Sequence, residues 1–176
     1  MKTSEALLDQ ATMLCAAEDV AIAMQRMADQ ITAKLAGENP LVLCVMKGAV
    51  VFAGQLLPLL KFPIGFDYLH ATRYRDQTRG GELHWEFFPQ GVAGRQVLVL
   101  DDILDEGHTL AAIRERCLAE GATGFYSAVL LEKILPHEKP ITADFVGLQV
   151  PDRYVFGCGM DVNGLWRNLP AIYALR

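Results

Sequence analysis

The chain has 176 residues, 52% of them hydrophobic and 21% charged, with a formal net charge of −5. Its length fits one domain, residues 1–176, with a sizeable core; the apolar content and a mean hydropathy of +0.20 exclude a disordered chain. The acidic balance, with pI ≈ 5.3, argues against nucleic-acid binding, which needs a clustered basic face. No apolar run approaches the ~18 residues of a membrane span. Glu5 and Asp9 stand where a signal peptide would be apolar, so a cytoplasmic protein is expected, with no membrane partner. Cys15, Cys44, Cys117 and Cys158 lie far apart without Cys-x-x-Cys spacing and read as thiols.

Taken in chain order, residues 17–36 read as an amphipathic helix. Val20, Met24, Met27, Ile31 and Leu35 recur at spacings of three and four, Glu18 and Asp19 occupy the first turn, and Gly37 and Pro40 close it. The run "LVLCV" at 41–45 predicts a strand buried on both faces, followed by a turn and a helix through "KGAVVFAGQLLPLL". Residues 64–72 predict a second strand, 74–82 ("YRDQTRGGE") a mobile loop, and 83–88 a returning strand. Residues 96–100 predict another buried strand, 109–119 a helix closed by Gly121, and 125–131 a further core strand. Strands alternating with helices imply an α/β fold with a parallel sheet covered on both sides. With a core over about 17–135, the last forty residues, short of any long helix, are expected to form a small hood with the N-terminal residues.

One stretch carries the chemistry. "VLVLDDILDEGHTL" (97–110) runs a buried strand into four carboxylates, Asp101, Asp102, Asp105 and Glu106, within six residues. Like charges so close repel, and desolvating them is costly, so a ligand must favour them there. In open α/β sheets ligands lie beyond the carboxyl ends of the strands. Backbone N–H groups of 106–109 would open a helix whose partial positive charge suits a phosphate, with Gly107 allowing a tight turn and the Thr109 hydroxyl able to donate. The aspartates suit sugar hydroxyls or a magnesium ion, a hard cation that prefers carboxylate oxygen. No histidine among His70, His84, His108 and His137 shows metal-ligand spacing, and each is assigned a surface or core role as a side chain.

This segment resembles the phosphoribosyl-pyrophosphate signature of type I phosphoribosyltransferases. The similarity extends from 41 to 167 and to the hypoxanthine-guanine branch: "LCVMKGAV" resembles that family's pyrophosphate loop, and "DFVGLQVPDRYVFGCGMD" with "LWRNLP" its base-reading hood. The resemblance implies purine salvage, in which phosphoribosyl passes from 5-phosphoribosyl 1-pyrophosphate (PRPP) to hypoxanthine or guanine. It implies that Asp101 and Asp102 contact ribose hydroxyls and magnesium, and that Asp105 acts on the purine N7 proton. Gly107 and Thr109, with the intervening His108 backbone and the Glu106 amide, match the 5′-phosphate cradle. Lys47 and Gly48 match the pyrophosphate loop, in which the Met46–Lys47 peptide is often cis, and Arg167 an arginine that grips pyrophosphate. Lys133 matches the donor to the 6-oxo group, Tyr154 the aromatic that stacks on the base, and Val155 the residue whose backbone reads its edge. Asp161 matches a second magnesium-linked acid beside the purine. Arg73 and Tyr74 match the start of a lid. A homodimer or homotetramer is implied as well.

Two positions depart from the pattern. Glu106 stands where the family usually carries serine or threonine, and a carboxylate beside a phosphate is unfavourable unless it turns away or pairs with a cation. We expect its side chain to turn away, leaving the cradle to backbone amides and Thr109. Arg73-Tyr74 stands where a serine-tyrosine pair is common. The 2-position of the base is read largely by backbone groups in the family, which leaves a xanthine-preferring enzyme open. A non-catalytic PRPP-sensing regulator is the remaining alternative, and it should carry a basic face and often lacks the acid at Asp105.

Overall fold

The computed structural model describes residues 4–73 and 83–175. Its elements in chain order are α1 (Ser4–Asp9), β1 (Thr12–Cys15), α2 (Ala17–Leu35), β2 (Leu41–Met46), α3 (Val50–Leu56), β3 (Gly65–Arg73), β4 (Leu83–Phe87), β5 (Gln96–Leu104), α4 (His108–Ala119), β6 (Gly124–Ile134), β7 (Phe145–Pro151), β8 (Val155–Phe156) and β9 (Ile172–Ala174). The expected loop 74–82, including Tyr74 of the lid, lies outside the described residues; the Arg73 backbone ends β3.

The helical period of α2 buries Val20, Met24, Met27, Ile31 and Leu35, the same stripe read from the sequence. Asp19 Oδ2 accepts from the Ala16 N–H at 2.9 Å and so satisfies one of the unpaired donors at the helix start. A six-stranded sheet runs in the order β4-β3-β2-β5-β6-β7, parallel throughout except for β4, which is antiparallel to β3. β2 and β5 occupy its middle, and Val97, Leu98, Val99 and Leu100 are fully buried, as runs covered on both faces require. The crossover through α3 moves one way along the sheet and that through α4 the other, so right-handed crossovers place these helices on opposite faces. Among the described residues no helix is long and apolar enough to cross a membrane.

Two expectations are corrected. β5 does not stop at Leu100 but continues to Leu104, because β6 extends beside it and pairs Asp101 with Val129, Ile103 with Leu131 and Leu104 with Glu132. The last forty residues are not all hood: β7 joins the large sheet beside β6, and Gly147 fits there because a Cβ would meet the Leu130 carbonyl oxygen at 2.5 Å. The remaining pieces, β8 and β9, form a three-stranded antiparallel sheet with the N-terminal β1, in the order β1-β9-β8.

Candidate active site

The site begins where one strand outlasts its neighbour. β5 pairs with β2 only from Val97 to Leu100, whereas its pairing with β6 continues to Leu104. The last residues of β5 therefore have a neighbouring strand on one side only. A cavity of about 360 Å³ occupies the other, lined by Val45, the run from Asp101 to Thr109, and Leu110. A second cavity of about 220 Å³ is lined by Asp102, Ile103, Asp105, Lys133, Tyr154, Val155, Met160, Asp161 and Arg167. Asp102, Ile103 and Asp105 line both, so the two spaces share a wall of β5 and its following turn.

The floor of the first cavity is acidic. Asp101 is 8% exposed, and burial first, then the adjacent Asp102 charge, hold its carboxyl well above the usual carboxylate range. Burial also raises Asp102, while its hydrogen bond with Asp101, the backbone N–H groups and the Arg167 charge pull it back. Asp101 Oδ1 accepts from the Asp102 N–H at 3.0 Å and Asp102 Oδ1 from the Ile103 N–H at 2.9 Å, so each carboxyl is fixed by the strand backbone. Gly48 is required beside them: a Cβ there would run into the Asp102 carboxylate. The Met46–Lys47 peptide is cis. The exposed Lys47 lines neither cavity. Burial pushes the thiols of Cys44 and Cys158 up to about 11, further raised by the nearby aspartates, so neither is a thiolate nucleophile at neutral pH.

The cradle lies at the start of α4. Gly107 precedes the helix with φ of 82°, a conformation that side chains with a Cβ rarely adopt, and aims the first turn's N–H groups at the cavity. His108 is exposed, and Thr109 lines the cavity from the first turn. Glu106 Oε2 lies 2.9 Å from His137 Nε2, the cationic or neutral ring partner that a carboxylate at this position calls for. His137 is exposed, in keeping with the surface role expected of it, and its contact with Glu106 is what the sequence did not show. The hydrogen bond from His137 holds the Glu106 carboxyl below its ordinary value.

Across the shared wall, Lys133 Nζ donates to Asp105 Oδ2 at 2.9 Å and lies 3.7 Å from Asp152 Oδ1. The lysine side chain is 12% exposed and that of Asp105 49%, so a largely buried cation presents a half-exposed acid to the cavity. Tyr154 is 53% exposed, which excludes core packing, and its hydroxyl donates to the Asp161 carbonyl oxygen at 2.9 Å. Val155 is buried in β8. Arg167 Nη1 donates to the Gly159 carbonyl oxygen at 2.7 Å, and Nη2 pairs with Asp161 Oδ1. Asp161 Oδ2 accepts from the Gly164 N–H at 2.7 Å, so both oxygens are engaged.

The three acids expected to share a metal are not gathered into one cluster. Asp101 lines the first cavity, Asp161 the second and Asp102 both, and among the described residues no group of three metal-binding side chains converges. Asp101 and Asp102 nevertheless suit a hard divalent ion, whose charge would favour their ionised form and which would draw its remaining ligands from water and phosphate oxygens. Sequence reasoning missed His137, Lys139 and Asp152. All three follow the recognised lysine within the segments that close the site, and no spacing rule singles them out.

A family model for the phosphoribosyl transferase domain matches residues 10–163. The chain belongs to the phosphoribosyltransferase family. It is 31% identical over 166 residues to the hypoxanthine-guanine phosphoribosyltransferase of Streptococcus thermophilus strain CNRZ 1066, covering 93% of this chain and 92% of the relative. Among solved structures it is similar to a hypoxanthine phosphoribosyltransferase from Staphylococcus aureus, with a TM-score of 0.90 and 25% identity over 100% of this chain and 97% of that one. A hypoxanthine-guanine phosphoribosyltransferase from Bacillus anthracis gives a TM-score of 0.88 and 29% identity over 94% and 98%. The phosphoribosyltransferase fold is thus shared over the whole chain.

The Glu106–His137 pair can be tested directly. Because the folded carboxyl titrates below its unfolded value, the pair favours the native state above the unfolded carboxyl's range, and that contribution fades as the pH falls through the folded value. In His137→Ala, a carbon-13 NMR titration should show the Glu106 carboxyl moving up toward an ordinary glutamate. An unchanged titration would mean that the pair does not form in solution.

Proposed function

We propose that this phosphoribosyltransferase is a magnesium-dependent enzyme of purine salvage. It would transfer phosphoribosyl from PRPP to hypoxanthine or guanine, giving IMP or GMP and pyrophosphate. The observation that carries this reading is the Lys133–Asp105 pair, 2.9 Å apart, on the wall between the acidic cradle and the cavity beneath Tyr154. A lysine ammonium donates only, so it suits a 6-oxo purine and mismatches a 6-amino one. Tyr154 offers an exposed ring on which the base can stack, and the Val155 backbone stands beside its edge. The names of the streptococcal and Bacillus relatives support the same substrates.

In this reading the first turn of α4, with Gly107 and Thr109, holds the 5′-phosphate, and Glu106 leaves the cradle because His137 draws it outward. Lys47, Gly48 and Arg167 hold the pyrophosphate, and Asp101 and Asp102 hold the ribose hydroxyls and the metal. Asp161, tied to Arg167, orients that arginine and would contribute its charge toward holding the metal. The bound ion would neutralise the departing pyrophosphate. The purine nitrogen forms its bond to C1′ as the C1′–oxygen bond breaks, the bonding electrons leaving with pyrophosphate. Asp105 accepts the proton that the purine loses. Lys133, released from Asp105 toward the 6-oxo group, lets that carboxylate act as a base. The carboxylates around the ribose favour the positive charge that develops on the sugar. Arg73 and Tyr74 would begin the lid that excludes water. The exposed, stacked rings of Tyr68 and Phe87, with Phe66 exposed on the same strand as Tyr68, support assembly of two or four copies, and the protein would work in the cytoplasm.

A spectrophotometric assay with PRPP, magnesium and each of four purine bases tests the assignment. Hypoxanthine or guanine should turn over and adenine should fail, because leaving buried polar groups unpaired costs orders of magnitude in discrimination. Comparable use of adenine, or no use of any base, would overturn it. In the same assay Asp105→Asn should lower kcat by roughly 10²–10⁴-fold, the usual contribution of a general acid–base group, with the KM for PRPP little changed. Near-normal kcat would mean that Asp105 is not the proton acceptor.

A further inference from the structure

Lys139 is an unusual lysine. Its side chain is 9% exposed, yet it lies in a segment that contains no helix or strand, between β6 and β7. Burying an ammonium is costly unless its three donors find partners. Here Nζ donates to the Leu104 carbonyl oxygen at 3.2 Å and to the Lys133 carbonyl oxygen at 2.6 Å, and Glu132 Oε1 lies 3.6 Å away. Those carbonyls belong to two different strands. Leu104 ends β5 and immediately precedes Asp105, while Lys133 is the next-to-last residue of β6. The β5–β6 ladder stops at the pair Leu104 and Glu132, so the ladder does not hold the two strands together beyond that point. The ammonium takes over where it ends.

The neighbours of Lys139 are seated on the same turn. A Cβ at Gly107 would touch Lys139 Cβ, Pro140 Cδ and Ile141 Cγ2, each at 3.4 Å, and His137 from the same segment holds Glu106. The segment is therefore fastened to the turn that carries Asp105 by packing and by polar contacts on both sides.

We propose that Lys139 is a positioning residue for base recognition. It clamps the carbonyls at the ends of β5 and β6, so that the Asp105 carboxylate and the Lys133 ammonium meet the purine in fixed register. This rests on the function proposed above, and it assigns a role to a residue that touches neither substrate. The clamp grips the backbone on both sides of the base subsite, whereas the phosphate cradle begins beyond Gly107 on the first turn of α4. Loss of the clamp should therefore loosen the purine and spare PRPP.

The test is steady-state kinetics of Lys139→Met, which keeps the stem and removes the ammonium, beside Lys139→Arg, which can still reach two carbonyls. In Lys139→Met the KM for the purine should rise by about tenfold or more, since displacements near 1 Å can cost on the order of a hundredfold in rate, while the KM for PRPP stays within about threefold. Lys139→Arg should recover most of the loss. Should Lys139→Met fail to fold by circular dichroism, Lys139→Gln, which keeps a donor and most of the length, decides on the same readouts. Kinetics matching the parent, or an equal loss for both substrates without rescue by arginine, would overturn the role of Lys139. If the parent enzyme itself uses no purine, the proposed function falls and this inference falls with it. If the parent is active and the variants match it, only the inference falls.

Discussion

Two adjacent aspartates at the carboxyl end of the central strand, Asp101 buried and Asp102 partly so, are the constraint on which the rest of the site depends. Asp101 and Asp102 lie where β5 has lost β2 as a neighbour but still pairs with β6. The apolar core on both faces of β5 fixes their position, and desolvation keeps Asp101 from ionising readily. Folding thus places two carboxyls where they disfavour the empty site and favour a cationic occupant. The surrounding choices follow from that placement. Gly48 has no Cβ because Asp102 occupies the space, and the hydrogen bond with Asp101, the backbone N–H groups and, last, the Arg167 charge offset part of the burial of Asp102. The hood loop presses against the same turn, since a Cβ at Gly159 would run into the Gly48 carbonyl oxygen.

The two halves of the proposed reaction then divide along one short turn. Toward α4, Gly107 directs N–H groups into the first cavity, and Glu106 is drawn off by His137. Toward β6, Asp105 meets Lys133 on the wall of the second cavity. The segment after β6 touches both sides, through His137, Lys139 and the contact with Gly107. One connection, without regular structure of its own, braces both Asp105 and the turn at Gly107 to which the proposed reaction assigns the proton and the phosphate.

Much of this was legible in the chain. The α2 stripe emerged as read, because a three-and-four spacing of apolar residues has one way to meet a core. The order of strands and helices identified the sheet, and the acidic run after an apolar strand identified its ligand end. Glu106 was expected to turn away from the phosphate on charge alone, and its carboxylate pairs with His137. What stayed hidden depends on pairing between distant segments. Nothing local in "DDIL" says that β5 continues through the aspartates, because that follows from the length of β6. β7 looked like part of the hood because it is one of several short apolar pieces in a stretch without a long helix; its place beside β6 is a tertiary fact. Nothing in the sequence singled out Lys139 or His137, since the Leu104 carbonyl and the Glu106 carboxylate that help hold them lie about thirty residues earlier in the chain.

The central claim is that the acid pair is kept at a cost to folding for the sake of the ligand. Thermal unfolding of Asp101→Asn, with and without PRPP and magnesium, tests it most directly. Asparagine can still accept from the Asp102 N–H but carries no charge to desolvate. The free variant should melt above the parent, by about 2–4 °C for each kcal/mol recovered in a chain of this size, and the rise in Tm on adding PRPP with magnesium should shrink or vanish. A variant that melts below the parent, or one whose ligand-induced rise equals the parent's, would contradict the account.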